Sequence, residues 1–325
     1  MRIERRSMAL EVKARIIKNT LFLLAGNLVE QMISFLLVIA ISRFLGNTGL
    51  GEYSFIFSLT WIVVILMNPG LDYLLLKEIS RDEAKTDSYA SNMFFIKLFL
   101  GGVALIVSLL MIFLLPKSPS VRLSIGIASA SFFISGLAGV FFQIIQAREC
   151  MGINAVIKII ERLWALGMGL YLLLEGYSLP WVVFALMVSG LIRDGLYYFF
   201  SRSLVRLKYR LDLPVCRFLL KESSPFFFSI IFIQIYFRAD TVMLSLMKGD
   251  QVTGWYSAAY KFIEVLRFIP FLLVTAILPP ISKAFKGNPE LVKDIFLRTF
   301  RYLLSAALPL CLFIFVAASQ IILFF

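Results

Sequence analysis

The chain has 325 residues, of which 60% are hydrophobic and only 16% charged, with a formal net charge of +12. A soluble domain carries about 25% charged residues, so this composition excludes an ordinary water-soluble fold. The absence of any histidine removes the commonest general base and metal ligand and argues against an enzyme or a metal site.

The first 19 residues carry Arg2, Arg5, Arg6, Lys13, Arg15 and Lys18. The apolar stretch that follows is too long for the core of a cleaved signal, so it reads as a retained membrane helix. In chain order, nine apolar segments cover roughly 20–44, 52–70, 93–115, 123–146, 154–174, 179–201, 225–247, 254–278 and 300–320. About 20 residues suffice to cross a bilayer as a helix. The runs lack the alternation of barrel strands, so the predicted fold is an all-α polytopic membrane helix bundle of about nine transmembrane helices.

Numbering the connections alternately from the N-terminus, one side holds 22 Lys and Arg residues and the other only four, Arg43, Lys117, Arg122 and Lys248. Basic residues in short loops mark the cytoplasmic side. The sequence thus predicts a cytoplasmic N-terminus in the plasma or inner membrane. The basic balance is a topology signal and does not point to nucleic acid. Trp181 and Trp255 fall at the opposite ends of their helices, where amphipathic rings favour the interface. Cys150, Cys216 and Cys311 are far apart and form no disulfide or zinc pattern.

Two segments repeat. Gly46 to Ser54 and Gly249 to Ser257 both read G-x4-G-x-Y-S, 203 residues apart, and Gln31 and Gln234 keep that offset. The repeat unit holds six helices, an even number, so both copies run the same way as in parallel-repeat transporters. The expected layout is a first six-helix lobe over 1–205, a basic cytoplasmic linker over 206–224, and a second lobe over 225–325 with only three of its six helices. On that layout the second lobe is truncated, half of its cavity wall is unbuilt, and the chain alone is not expected to transport.

Several stretches resemble the polysaccharide-export branch of the multidrug/oligosaccharidyl-lipid/polysaccharide exporter superfamily. They are Lys18-Asn-Thr20 with Ile41-Ser-Arg43-Phe-Leu-Gly46 and Gly51-Glu-Tyr53, then Leu220 to Pro225 leading to Ile235 to Met243, and above all Gly254 to Glu264 with Phe268-Ile-Pro270. The resemblance implies two lobes around a central cavity. It also implies flipping of a polyprenyl-diphosphate-linked oligosaccharide in polysaccharide biosynthesis, without a cofactor. The partners so implied are that lipid-linked substrate, membrane lipids and polysaccharide-assembly enzymes. Two other readings stay open: a multidrug or cation antiporter of the same superfamily, kept alive by Glu30, and a membrane-embedded polymerase or ligase, disfavoured by short outer loops.

Ionisable residues at membrane depth are costly and mark cavities or partners. Asn27, Glu30, Gln31 and Ser34 share one face of the first helix, as a cavity wall or as polar contacts between helices. Arg238 and Asp240 on the seventh helix, with Lys261, Glu264 and Arg267 on the eighth, form either a cationic site for a diphosphate or a self-neutralising tie. Lys158, Glu161, Arg162, Arg193 and Asp194 read as structural, with Lys158 and Lys97 snorkelling to the interface. Pro270 predicts a kink in the eighth helix.

Overall fold

A computed structural model describes residues 2–207, 211–266 and 289–324. By their contacts these form two units, residues 1–254 and 255–325.

The first unit opens with α1 (Arg2–Val64), which holds two helical segments separated at Gly46, where φ is 70° and ψ is −177°. Only glycine adopts this conformation without strain. The chain reverses here. Before the break, Glu30 meets Lys158 and Leu37 meets Gly169. After it, Phe55 packs in one cluster with Val121 and Ile125, and Met67 lies against Gly136. The two segments therefore run in opposite directions, and α1 supplies the first two membrane crossings.

The second crossing does not finish where its apolar run predicts. A 3-10 turn (Ile65–Met67) and the sequence Asn68-Pro69-Gly70 interrupt it. Proline lacks the N–H that a helix interior needs, and Gly70 sits at φ 78°. The crossing then resumes as α2 (Leu71–Arg81). Leu71, Leu74, Leu75 and Ile79 of α2 are fully buried in one core with Ala138, Phe141, Ile144 and Ile145. The break sits in a notch lined by glycines, since a Cβ at Gly101 or Gly136 would overlap Met67.

The remaining helices of this unit are α3 (Thr86–Leu114), α4 (Pro119–Ala147), α5 (Met151–Leu174), α6 (Leu179–Ser201) and α7 (Leu213–Met247). Proline opens α4, α6 and α7 in the first turn, where no N–H is missed. Ser118 and Asp212 cap α4 and α7 by accepting from Val121 and Val215 N–H. α4 packs against α3, α6, α2 and α1, and so forms the centre of the first unit. The 202–212 connection is strapped to α3: Arg206 N–H donates to Asp87, and Asp212 N–H to Asn92. α7 packs along α1, α2 and α3.

α8 (Asp250–Leu266) begins in the first unit and continues into the second, which also contains α9 (Pro289–Phe324). Six stretches of the described residues are long and apolar enough to cross a membrane, the first, Gly26–Met67, covering both segments of α1. α5 is long enough at 24 residues but carries Lys158, Glu161 and Arg162 within one turn and a half. Exposed Phe and Leu side chains such as Phe99, Phe113, Leu174 and Phe232 cover the outer faces, as lipid contact requires. The protein is a multi-pass helical membrane protein.

Candidate functional site

Three polar groups lie at membrane depth in the first lobe. The first surrounds Lys97, which is fully buried and donates to Asp72 Oδ1 at 2.6 Å and to the Gly136 carbonyl at 3.0 Å. Asn68 Nδ2 donates to Asp72 Oδ2 at 2.6 Å, and Asn68 Oδ1 accepts from the Asp72 N–H. The expectation that Lys97 snorkels is overturned. It stands 11 residues inside α3, and its ammonium is buried among protein groups and does not extend along the helix to an interface. The broken crossing brings a carboxylate to it instead, and Gly139 leaves the room that its ammonium needs.

The second group surrounds Arg193 on α6. Its Nη1 donates to Glu161 at 2.9 Å, its Nε to Asp194 at 2.9 Å and its Nη2 to Ser135 at 2.7 Å. Ser135 in turn donates to Asp194 at 2.7 Å. The two acidic side chains are only 7% exposed. One cation, itself 24% exposed, thus faces two buried carboxylates in a cage, with Ser135 on α4 next to the Gly136 carbonyl of the first group.

The third group joins α1 to α5. Glu30 Oε1 accepts from Arg162 Nη2 at 2.8 Å, and Glu30 Oε2 accepts from Lys158 Nζ at 3.1 Å. Lys158 also donates to Asn27 Oδ1 at 3.3 Å. Lys158 does not snorkel; it turns toward α1. Here two cations share one carboxylate, and all three side chains are 24–30% exposed. Lys158 and Arg162 stand about 10 and 16 Å along α5 from its start, one turn apart on one face. Sequence reasoning treated Lys158, Arg162 and Arg193 as ties. The signal that could have singled out the first two is stoichiometric: positions 158 and 162 share a face with no acid four residues away to neutralise both.

Of the other expected site residues, Gln31 is half-buried beside this group on α1. Arg238 and Asp240 are on α7, where Asp240 Oδ1 accepts from the Thr241 N–H at 2.6 Å. In the second unit Lys261 donates to Glu264 at 2.8 Å across one turn of α8. Arg267 and Pro270 lie outside the described residues.

The opposite end of the first unit, away from the basic connections, carries the repeated motif. A Cβ at Gly51 would overlap the Asp250 carbonyl, and one at Gly254 would overlap the Asn47 carbonyl. These are reciprocal contacts: 51 and 254, like 47 and 250, are related by the 203-residue offset. Gly46 and Gly249, related by the same offset, both have positive φ. Lys117 fastens this crossing, donating to Asp250 Oδ1 at 2.6 Å and Ser245 Oγ at 2.7 Å above the Phe55 ring. Among the described residues no cluster of side chains could hold a metal ion.

The architecture is similar to that of solved membrane transporters. The structure is similar to a MOP superfamily transporter from Pyrococcus furiosus, with a TM-score of 0.63 and 15% identity over 95% of this chain and 73% of that one. It is similar to a multidrug resistance MATE family transporter in its inward-facing conformation (0.63, 14%, covering 90% and 71%) and in an outward-facing one (0.60, 16%, covering 94% and 72%). Identities this low establish the fold alone. Residues 16–285 match the family described as polysaccharide biosynthesis protein, and the chain belongs to that family. No curated protein sequence matches the chain.

Proposed function

We propose that the protein translocates a polyprenyl-diphosphate-linked oligosaccharide from the cytoplasmic to the outer leaflet, with its N-terminus in the cytoplasm and without catalysing a bond change. The observation that carries this reading is the third polar group. Two cations at membrane depth, held by one carboxylate and still partly exposed, suit a diphosphate headgroup. Arg162 offers a planar fork and Lys158 a mobile point charge. Asn27 and Gln31 on the same stretch of α1 supply neutral hydrogen-bonding groups of the kind a sugar needs. The lipid tail stays in the bilayer while the headgroup crosses, and the two lobes rock to expose the site to each side in turn. Lys261, Glu264, Arg238, Asp240 and Arg267 remain proposed contributors to the second wall. An antiporter for organic cations would want uncompensated acid in this position, and Glu30 already faces two bases.

The test is a leaflet-resolved assay in proteoliposomes, on the product of the gene's full reading frame, with a labelled polyprenyl-diphosphate oligosaccharide. Lys158→Gln/Arg162→Gln, combined with Glu30→Gln so that no carboxylate is stranded, is expected to abolish translocation at normal membrane abundance. Undiminished flipping by that variant overturns the reading. Impermeant thiol reagents should label a cysteine at Glu175 from outside the cell and leave one at Asp212 untouched; the reverse pattern overturns the orientation.

A further inference from the structure

We infer that Glu30 is an internal competitor for the anion site: it occupies between Lys158 and Arg162 the place a diphosphate takes, so substrate entry displaces it and its return expels the substrate. This rests on the diphosphate reading above and extends it to how the site releases its load.

The geometry is that of a bridging anion. The two oxygens of Glu30 go to different cations, one to Arg162 and one to Lys158, which stand one turn apart on α5. An anion with oxygens on two phosphoryl groups can make the same bridge, with charge-assisted bonds at least as strong. Both arrangements cannot coexist, because a carboxylate and a diphosphate against the same two bases repel each other.

The packing of α1 on α5 does not rest on Glu30 alone. α1 and α5 are held together independently, at Gly26 against Ala155 and at Leu37 against Gly169. Asn27 keeps a contact to Lys158 when the carboxylate leaves. The contrast with Arg193 is instructive. That guanidinium is itself 24% exposed, but it already faces two acids that are only 7% exposed, together with Ser135, so it carries no positive excess for an incoming anion. Lys158 and Arg162 have one partly exposed acid bridging them, on a flexible two-carbon stem. The site is therefore built to exchange its anion, and the charge that keeps it stable when empty is the charge that the substrate must outcompete.

The prediction is a split between affinity and turnover. Glu30→Gln removes the competing charge while keeping the side chain's size and one of its two accepting oxygens. Binding would be measured by titration calorimetry on the purified protein in detergent with two ligands, inorganic pyrophosphate and a short-chain polyprenyl diphosphate. For both, Glu30→Gln is expected to bind at least tenfold more tightly than the unmodified protein, with slower flipping at saturating substrate. Glu30→Asp, too short to reach both bases, should fall between the two and decides the matter if Glu30→Gln does not fold. A gain with the lipid alone assigns the effect to the tail and overturns the proposal. Unchanged or weaker affinity in the Glu30 variants, with binding lost in Lys158→Gln/Arg162→Gln, overturns the competitor role and leaves the anion site standing. Absence of binding in every form, or full binding in Lys158→Gln/Arg162→Gln, overturns the site itself and the competitor with it.

Discussion

Replacing Lys97 by methionine should unfold the first lobe's centre, and the structure sets the size of the effect. Methionine fills nearly the volume of the lysine stem but cannot neutralise Asp72, which loses its 2.6 Å partner and keeps the Asn68 amide. The Gly136 carbonyl loses its second donor but keeps its place in α4. Removing one partner of a buried ion pair costs about 3–5 kcal/mol. Asp72 is 20% exposed, so some solvent reaches it and the lower end of that range applies. Adding Asp72→Asn removes the stranded charge, and the double variant Lys97→Met/Asp72→Asn should recover most of the loss. The assay is thermal unfolding in detergent, followed by the monodisperse fraction after heating, for the two single variants and the double. A double-mutant cycle gives the coupling, expected at up to about 3 kcal/mol. If Lys97→Met melts with the unmodified protein, or if the double variant is no better than the single, the ion pair does not hold this lobe together.

Three further outcomes are expected. Gly254→Ala places a methyl against the Asn47 carbonyl and should hold that end of the molecule open, seen as faster hydrogen exchange over residues 250–254; unchanged exchange contradicts the close crossing. Lys117→Met removes three hydrogen bonds from an 8%-exposed ammonium and strands Asp250, which should destabilise by about 1–3 kcal/mol and be relieved by Asp250→Asn; no relief argues against the latch. Lys261→Ala should lower membrane abundance by stranding Glu264, with Lys261→Ala/Glu264→Ala restoring it, if the pair is structural; loss of flipping at normal abundance, rescued by Lys261→Arg, assigns Lys261 to the substrate instead.

The helices were legible because their apolar runs exceed bilayer thickness, and the turn near Gly46 because the runs 20–44 and 52–70 leave a gap there. The face shared by Asn27 and Glu30 was legible because spacing on one helix is local arithmetic. The partners were not. Lys97 finds Asp72 25 residues away only because Asn68-Pro69-Gly70 interrupts one crossing and lets it resume. An apolar count placed the end of that crossing at the break, which left Asp72 in a loop and Lys97 with nothing to hold. Glu30 and Arg162 are separated by 132 residues, and no periodicity on either helix reveals that α1 and α5 are neighbours. The depth of a charge is readable from sequence, and so is the requirement that something compensate it. Which residue does so is a property of the packing.

That requirement also explains how the lobe can be stable without substrate and still attract an anion. The three groups contain four bases, Lys97, Arg193, Lys158 and Arg162, and four acids, Asp72, Glu161, Asp194 and Glu30. Together they are neutral, as insertion into a low-dielectric layer demands. Their distribution is uneven. The Lys97 group balances, the Arg193 cage has one acid in excess, and the α1–α5 group has one base in excess. The two acids of the cage are 7% exposed, although its base Arg193 is 24% exposed, and the surplus base lies among side chains that are 24–30% exposed. Glu161, adjacent to Arg162 in sequence, binds Arg193 and sits in the cage, so its charge steadies Arg162 from the buried side without occupying the exposed one. A neutral arrangement with the same eight side chains but the excess reversed would present a carboxylate to the cavity and repel a diphosphate. Placing the acid inside and the base outside gives a positive surface at no net charge, and Glu30 is the one acid of the four whose removal from its partners uncovers it.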